Sequence, residues 1–370
     1  MSEPTADLEA LTFADLPGWA AAEHAAALAA FRRQAALWGE AGPKTRGLGI
    51  DGAALAAAGR ATLETVALHD AGARTFFETR FTPARVVPRA GGAFLTGYYE
   101  PELDGSRRPT ARFRVPLLAR PDDLVDVGDA NRPTDLDPSY AFARRTAAGD
   151  LVAYFDRGEI EDGALAGRGL ELVFLADPVD AFFVHVQGSA RIRLDDGSVM
   201  RLAYAAKAGH PYTSIAKVLI ARGIATAEAM TADVLRAWLK ANPDEAAALM
   251  RTNRSYVFFA EQPDLDPDLG AVAAAKVQLT PRVSLAVDRT LHTFGTPIFV
   301  DATLPLGADG ETEPFRRLMI AQDTGSAIVG PARGDVFVGL GETAGRIAGR
   351  IRQVPNDFVV LIPRAGEGRR

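Results

Sequence analysis

The sequence predicts a mainly β protein with helices, in which a discontinuous main domain is interrupted by a smaller, inserted β domain. The chain has 370 residues, which is long enough for two domains with ample apolar core. Helical patterns precede residue 80 and return after Gly209, and short β-rich runs with turn signals occupy the middle and the C-terminal third. This order predicts a main domain at residues 1–105 and 206–370 and an inserted domain at residues 106–205.

The main domain is expected to begin with helices. Ala-rich stretches with apolar residues at helical spacing predict three of them, over residues 20–38, Gly52 to Asp70 and Ala71 to Glu78. Residues 93–101 then favour a strand that ends at Pro101, because proline cannot donate a hydrogen bond to a neighbouring strand.

The inserted domain is expected to be a small antiparallel barrel or sandwich, because its β runs are short and separated by turn residues. Its predicted strands are 113–118, 152–155, 170–174, 182–186, 190–194 and 199–204. Helix-start signals follow at Thr213 or Ser214, at Thr231 and at Asn242-Pro243. A second set of strands is predicted at 256–259, 283–287, 297–300, 318–321, 336–338 and 358–362, forming a second barrel.

Composition limits the possible functions. The chain is 48% hydrophobic and 24% charged, as in ordinary globular proteins, and its net charge of −6 argues mildly against nucleic acid as a partner. It has no cysteine, and its five histidines are scattered, so we expect no disulfide, no metal site and no cofactor. No run of about 18 apolar residues occurs. The polar start, Met1 to Asp15, does not resemble a signal peptide, which leaves open a cytosolic protein or one whose export signal was removed.

Asp323 and Asp335 are the strongest candidates for chemistry. Each lies at the edge of a short apolar run, 318–321 or 336–338, and glycines lie close by. A carboxylate at a strand end beside a Gly-rich turn contributes little to a core and is typical of an active site. The structural alternative is that Asp323 closes an Asx-turn and Asp335 caps a strand.

Several blocks of the sequence carry a family resemblance: Gly97-Tyr98-Tyr99-Glu100-Pro101, residues 183–190, residues 204–217 and Asn253-Arg254-Ser255-Tyr256-Val257-Phe258-Phe259. They occur in the same order as conserved blocks of the membrane-bound lytic murein transglycosylase A (MltA) family, and three of them resemble its GYYxP, VQGSG and NPSFVFF motifs. Residues 281–363 resemble the three-aspartate (3D) domain of that family, with its aspartates at Asp288, Asp323 and Asp335.

The resemblance implies a double-psi β-barrel main domain, an inserted smaller β-barrel domain and a groove between them for peptidoglycan glycan strands. It implies exolytic cleavage of the β-1,4 bond between N-acetylmuramic acid and N-acetylglucosamine, with formation of a 1,6-anhydro end. It assigns the single catalytic acid/base to Asp335. It also implies a monomer in the periplasm of a Gram-negative bacterium, associated with the outer membrane and with other cell-wall enzymes.

The sequence departs from the family pattern at three points. Gly325-Ser326 replaces a common Gly-Gly pair, and no lipobox cysteine is present to support lipid anchoring. Val329 lies near the position where the family often has a lysine, so we expect the Asp pair to lack that basic partner.

The implied chemistry requires an aspartic acid that holds a proton near neutral pH. An ordinary Asp has a pKa of about 3.9 and is mostly ionised there, so burial or a neighbouring like charge must raise it. We expect Asp323 to be that neighbour, Val336 and Phe337 to supply desolvation, and Asp288 to position substrate. A structural Asp288 bonded to backbone amides is an equally good interpretation.

Other residues are weaker candidates for substrate binding. Tyr98 and Tyr99 can stack on sugar faces, although core packing is the simpler role and alternation predicts that they face opposite ways. Glu100 is a lesser candidate acid. Gln187 and Ser189 can bond acetamido or hydroxyl groups or can serve a turn, and Tyr212 and Ser214 can serve only to cap a helix.

Three rival functions fit parts of the pattern. Asp323-Thr324-Gly325-Ser326 matches the DTGS sequence of aspartic proteases, which need a second such Asp, supplied here only by a homodimer. An inverting glycoside hydrolase would use Asp335 as acid and Asp323 or Asp288 as base. A non-catalytic glycan-binding protein is the third.

Overall fold

The chain folds into two compact units. The computed structural model describes residues 5–64, 69–227, 229–307 and 310–364. The first unit comprises the residues up to Tyr99 and those from Asp266 onward, and the second comprises Glu100–Leu265. In the described ranges, no helix has the length and apolar character needed to cross a membrane.

Most of the regular structure is β, as the sequence predicts. The strands, in chain order, are β1 (Ala6–Ala10), β2 (Phe81–Pro88), β3 (Phe94–Glu100), β4 (Glu102–Ser106), β5 (Val115–Leu118), β6 (Leu124–Asp126), β7 (Phe142–Arg145), β8 (Leu151–Val152), β9 (Glu171–Leu175), β10 (Ser189–Leu194), β11 (Val199–Lys207), β12 (Val257–Glu261), β13 (Ser284–Val287), β14 (Pro297–Leu304), β15 (Glu313–Asp323), β16 (Arg333–Leu340), β17 (Arg352–Gln353) and β18 (Asp357–Pro363).

The helices fall near both ends of the first unit and, in the second unit, from residue 157 onward. They are α1 (His24–Ala35), α2 (Gly52–Leu63), α3 (Asp70–Arg80), α4 (Arg157–Glu159), α5 (Pro178–Gln187), α6 (Ile215–Ala221), α7 (Ala232–Ala241), α8 (Pro243–Arg251) and α9 (Gly341–Ala348). The helix predicted over Gly52 to Asp70 ends at Leu63, and residues 65–68 lie outside the described ranges.

The first unit is built on a nine-stranded mixed sheet in the order β1-β2-β18-β14-β15-β13-β16-β3-β17. Its longest pairing joins β14 and β15 through eight residue pairs, and fully buried side chains such as Phe299 and Leu318 pack there. The short strand β13 lies between β15, to which it is parallel, and β16, to which it is antiparallel. This arrangement places the C-terminal end of β15 and the N-terminal part of β16 on either side of the short strand β13.

The second unit contains a six-stranded sheet in the order β12-β11-β10-β4-β9-β5 and a three-stranded sheet formed by β6, β7 and β8. An isolated parallel bridge between Ala119 and Phe259 connects the region after β5 to the opposite edge strand, β12. A separate apolar cluster joins α5 to the helices α6, α7 and α8.

The structure moves both predicted domain boundaries. Residues 100–105 and 206–265, which were predicted to belong to the main domain, lie in the second unit. The physical reason is pairing: β12 is antiparallel to β11 over residues 257–261, and α6–α8 share an apolar cluster with α5.

One predicted strand is wrong. Residues 182–186 form part of helix α5 rather than a strand. The local start and stop signals prevail over the β-rich composition: the Asp177 carboxylate accepts from the Val179 amide, Pro178 occupies the first turn, and Gly188 ends the helix with a φ of 78°. The predicted caps at Ser214 and Thr231 are confirmed, because their side chains accept from Lys217 and Val234 amides.

Candidate active site

Strand β13 brings Asp323 and Asp335 to the same face of the sheet. Ala286 is the register partner of Asp323 on β15 and of Asp335 on β16. Residues directly opposite one another on neighbouring strands point their side chains to the same face. With strands spaced by about 4.8 Å, the two aspartate Cα atoms are about 10 Å apart, and the small Ala286 side chain lies between them.

A β-bulge makes this possible. Leu285 pairs with Ala321, but Ala286 pairs with Asp323, so one extra residue, Gln322, is inserted in β15. Without the bulge Asp323 would lie opposite Val287 and point to the other face, because side chains alternate along a strand. Gln322 is fully buried, accepts from the Ser284 hydroxyl at 2.6 Å and donates to the Ala30 carbonyl at 3.1 Å, which fixes the bulge.

Asp335 is half-buried and has a basic neighbour that acts through a hydroxyl. The Thr96 hydroxyl donates to Asp335 Oδ1 at 2.5 Å, and Arg333 Nη2 donates to Thr96 Oγ1 at 2.7 Å. Desolvation raises the pKa of Asp335 to about 6, and the Asp323 charge also raises it, while the Thr96 hydrogen bond and the Arg333 charge oppose the rise. Asp335 can therefore hold a proton in a useful fraction of molecules near neutral pH.

Asp323 accepts hydrogen bonds from a different set of donors. The Tyr98 hydroxyl donates to Asp323 Oδ2 at 2.8 Å, and the Ala274 amide donates to Oδ1 at 3.3 Å. Desolvation raises the pKa of Asp323, whereas the hydrogen bonds from Thr324, Tyr98 and Ala274 lower it. Burial, with the Asp323 charge as a second cause, raises the pKa of Tyr98 well above its usual value, so the phenol stays protonated and remains a donor.

Phe337 supplies the apolar neighbour that the sequence analysis expected, but Val336 does not. Phe337 lies two residues after Asp335 on the same face of β16, and its ring centroid is 5.3 Å from that of Tyr98. Val336 points to the opposite face, where it is fully buried in the core of the first unit.

Known proteins with similar sequences and structures show the family to which this chain belongs. Residues 94–260 match the family described as MltA specific insert domain, and residues 283–361 match the 3D domain. The crystal structure of a membrane-bound lytic murein transglycosylase from Agrobacterium tumefaciens is 41% identical, covers 97% of this chain and 98% of its own, and superposes with a TM-score of 0.88. The chain belongs to the MltA family.

Further MltA relatives have lower identity. The membrane-bound lytic murein transglycosylase A of Vibrio cholerae is 34% identical over 271 residues, which are 71% of this chain and 64% of that protein. The chain thus spans slightly less than two thirds of the length of that relative. Escherichia coli MltA, in a crystal structure with bound chitohexaose, is 27% identical, covers 80% of this chain and 78% of its own, and gives a TM-score of 0.61.

Asp288, the first aspartate of the 3D region, lies just beyond β13 and is already fully engaged. Its Oδ1 accepts from the Thr290 amide at 2.9 Å and hydroxyl at 2.6 Å, and its Oδ2 accepts from the Gly330 amide at 2.9 Å. It is 6% exposed. This geometry supports the structural alternative: Asp288 ties the turn after β13 to the loop before β16.

The two remaining candidates from the GYYxP motif are both engaged in packing or pairing. Tyr99 points away from Tyr98, as strand alternation predicts, and its ring packs against Gly345 of α9, where an added Cβ would lie 2.7 Å from the ring. Glu100 has no exposed surface and pairs with Arg201 through hydrogen bonds of 3.1 and 2.9 Å. The structure therefore does not offer Glu100 as an acid to substrate.

Four other candidates lie in the second unit. Gln187 is the last residue of α5 rather than the end of a strand, and Ser189 is the first residue of β10. Ser214 caps α6, and Tyr212 is 39% exposed just before that cap. Their expected roles in substrate binding remain predictions.

Two residues of the site, Thr96 and Arg333, were not predicted from the sequence. Each lies two positions before a residue that was predicted, Tyr98 or Asp335, and a spacing of two places side chains on one face of a strand. That spacing was the available signal. The doubt about a basic partner for the Asp pair is resolved by Arg333 on β16, whose charge lowers the pKa of Asp335, whereas Val329 is 71% exposed.

The donor set does not resemble a metal centre. In the ranges that the structure describes, no three His, Cys, Asp or Glu side chains form a group able to hold an ion. The arrangement instead offers one protonatable carboxyl, Asp335, with a second carboxylate held beside it.

Proposed function

We propose that this protein is a lytic transglycosylase that cleaves the β-1,4 bond between N-acetylmuramic acid and N-acetylglucosamine in peptidoglycan. The observation that carries the proposal is the raised pKa of Asp335, about 6, on a sheet face shared with Asp323 in a chain of the MltA family. Glycosidic cleavage needs an acid that is still protonated near the working pH. The relatives' names and the chitohexaose complex of E. coli MltA support a glycan as substrate.

In the proposed reaction Asp335 donates its proton to the leaving glycosidic oxygen as the bond to C1 breaks. The O6 hydroxyl of the same muramic acid then forms a bond to C1 and transfers its proton to the Asp335 carboxylate. The acid is thereby regenerated, and no water is consumed. Since the nucleophile belongs to the substrate, a single carboxyl suffices.

Asp323 is proposed to act on Asp335 rather than on the sugar. Both of its oxygens accept hydrogen bonds from the chain, from Tyr98 and from Ala274. This makes it a poor general base for an attacking water, whereas its charge favours the protonated form of Asp335. The engaged carboxylate therefore favours a transglycosylase over an inverting hydrolase.

We also propose for this protein the barrel topology and the cellular location that the MltA family implies. The mixed nine-stranded sheet, with its parallel β13–β15 pair, supports a double-psi β-barrel in the first unit, and the Ala119–Phe259 bridge supports a small barrel in the second. The relatives' names, which include the words membrane-bound, support a membrane-associated location, and the periplasm is proposed as the compartment because murein is the proposed substrate.

The deciding experiment is mass spectrometry of the products released from purified murein. A 1,6-anhydro end is lighter by one water than a reducing end, so the proposal expects only the lighter products. Asp335→Ala is expected to abolish nearly all turnover while glycan binding is retained. Reducing ends would instead indicate hydrolysis, and binding without any soluble product from the wild type would indicate a non-catalytic protein.

A further inference from the structure

The second unit contains a cavity that the proposed reaction does not use. Its volume is about 600 Å³, within the range of small-molecule sites. Apolar side chains from β5, α5, α7 and α8 form most of the wall, among them Val115, Pro116, Val179, Phe182, Leu239 and Met250.

A buried arginine forms part of this wall. Arg157 is 2% exposed, and its guanidinium is held by the carbonyls of Asn253, at 3.0 Å, and Ser255, at 2.8 Å. The rings of Phe182 and Tyr256 lie 4.8 and 5.3 Å from its guanidinium carbon. The charge is thus fixed in place among aromatic and aliphatic groups.

The charge of Arg157 is only partly compensated. In the described ranges its one carboxylate partner within 4 Å is Glu161, at 3.5 Å, and the same carboxylate bonds Arg251 at 2.9 Å. Desolvation by burial lowers the pKa of Arg157. Since a buried charge is costly unless it is well paired, an anion in the cavity would stabilise this side chain.

His185 adds an unmet hydrogen-bond donor to the wall. Arg157 Nη1 and His185 Nδ1 are 3.0 Å apart, and a guanidinium can only donate, so Nδ1 accepts. Burial and the Arg157 charge hold the pKa of His185 well below its usual value, so the neutral ring carries its proton on Nε2. That buried nitrogen has no partner in the described part of the chain.

Two further cations line the cavity. Arg114 and Lys240 are exposed, and neither forms an ion pair with any described residue. The lining carboxylates are Glu161, which binds two arginines, and Asp177, which accepts from the Val179 amide at the start of α5. Three cations therefore line the cavity against two carboxylates that are already engaged.

We propose that this cavity binds a monocarboxylate with an aliphatic body. The carboxylate would lie near the cations, and the chain would pack against the apolar wall. A sugar or a peptide fits less well, because most of its hydroxyl or amide groups would face hydrocarbon without a partner. The proposal does not depend on the transglycosylase function.

Isothermal titration of the whole protein with decanoate, below its micelle concentration, tests the site. We expect saturable binding of one molecule, with a negative heat-capacity change from burial of apolar surface. Decan-1-ol, which lacks the charge, is expected to bind more weakly by at least about tenfold, in keeping with the strength of hydrogen bonds to charged groups. Absence of saturable binding, or equal affinity for the alcohol, would overturn the proposal.

Variants locate the binding. Ala247 is exposed and lines the cavity, so Ala247→Trp should fill its mouth and abolish decanoate binding without disturbing the core. Arg114→Gln and Lys240→Gln should each weaken binding by about two- to fivefold, as expected of exposed charges. Lys217→Gln, an exposed cation outside the cavity, is the matched control and should have no effect. Decanoate affinity that is unchanged by Ala247→Trp and by both charge variants would show that it binds elsewhere.

Discussion

Two carboxylates, one in each unit, illustrate opposite ways of treating a buried charge. Glu100, in the second unit, has no exposed surface and contacts Arg201 directly through both oxygens. Asp335, in the first unit, is linked to Arg333 only through the Thr96 hydroxyl. The direct pair is a structural element, whereas the indirect link leaves a carboxyl that can still take up a proton.

The difference shows how distance from a cation controls proton chemistry. A guanidinium in contact with a carboxylate favours the charged form strongly, and one hydroxyl in between weakens that preference. At Asp335 desolvation outweighs the lowering effects of Thr96 and Arg333, so the pKa rises to about 6. The following four variants test this comparison, from the largest expected effect to the smallest.

Glu100→Gln should cost the most stability. It leaves Arg201, which is 7% exposed, as a buried charge without its carboxylate, and breaking such a pair costs about 3–5 kcal/mol. Urea unfolding measures the loss. Glu261→Gln, which breaks the exposed pair with Arg107, is the control and should cost no more than about 1 kcal/mol. Equal losses in the two variants would mean that Glu100–Arg201 behaves as a surface pair.

Asp335→Asn should stabilise the protein while it removes activity. The native pKa of about 6 lies above the unfolded value of 3.8, so the native state binds the proton more tightly, and wild-type stability falls as pH rises from 3.8 to 6. The neutral amide avoids this loss, which corresponds to about 1–3 kcal/mol after allowance for partial exposure. Urea unfolding at several pH values measures the difference in free energy of unfolding between the variant and the wild type. We expect this difference to be smallest near pH 4, to grow as pH rises and to be constant above pH 6. A variant less stable than wild type at pH 7 would contradict a desolvated Asp335 that has no cation in direct contact.

Asp323→Asn should move the pH profile to lower values. The Asp323 charge raises the pKa of Asp335, so its removal should lower that pKa. The alkaline limb of kcat/KM should therefore move to lower pH by about half to one pH unit. Activity at pH 7 falls because less Asp335 is protonated. Rates of murein digestion across pH provide the measurement, and an unshifted limb would mean that the two carboxylates are not coupled.

Thr96→Val should shift the pH profile of activity by the smallest amount, and in the opposite direction from Asp323→Asn. It removes the hydrogen bond that lowers the pKa of Asp335 and breaks the link to Arg333, so the alkaline limb should shift upward by about half a unit. Thr96→Ser keeps the hydroxyl and should restore the wild-type profile. A downward shift in the valine variant, or failure of serine to restore the profile, would exclude Thr96 as the intermediary.

Much of the fold and of the site could be predicted from the sequence. Mainly β structure with helices is confirmed, as are the caps at Ser214 and Thr231, because these depend on local patterns and local hydrogen bonds. Segment 182–186 was mistaken for a strand because Phe and Val at four of its five positions suit a buried strand or a buried helix equally well. The cap at Asp177 and the glycine at 188 held the deciding information.

The sequence by itself determined which residues are candidates for chemistry: the aspartates of the 3D region and the tyrosines of the GYYxP motif are recognisable without coordinates. Only the tertiary structure decided how they differ. The bulge at Gln322 turns Asp323 to the Asp335 face, Arg333 acts through Thr96, and Asp288 is engaged by Thr290 and Gly330. The physical reason is that a pKa depends on burial and on neighbours brought from distant parts of the chain, and strand register, which sets those neighbours, is a property of pairing rather than of either strand alone.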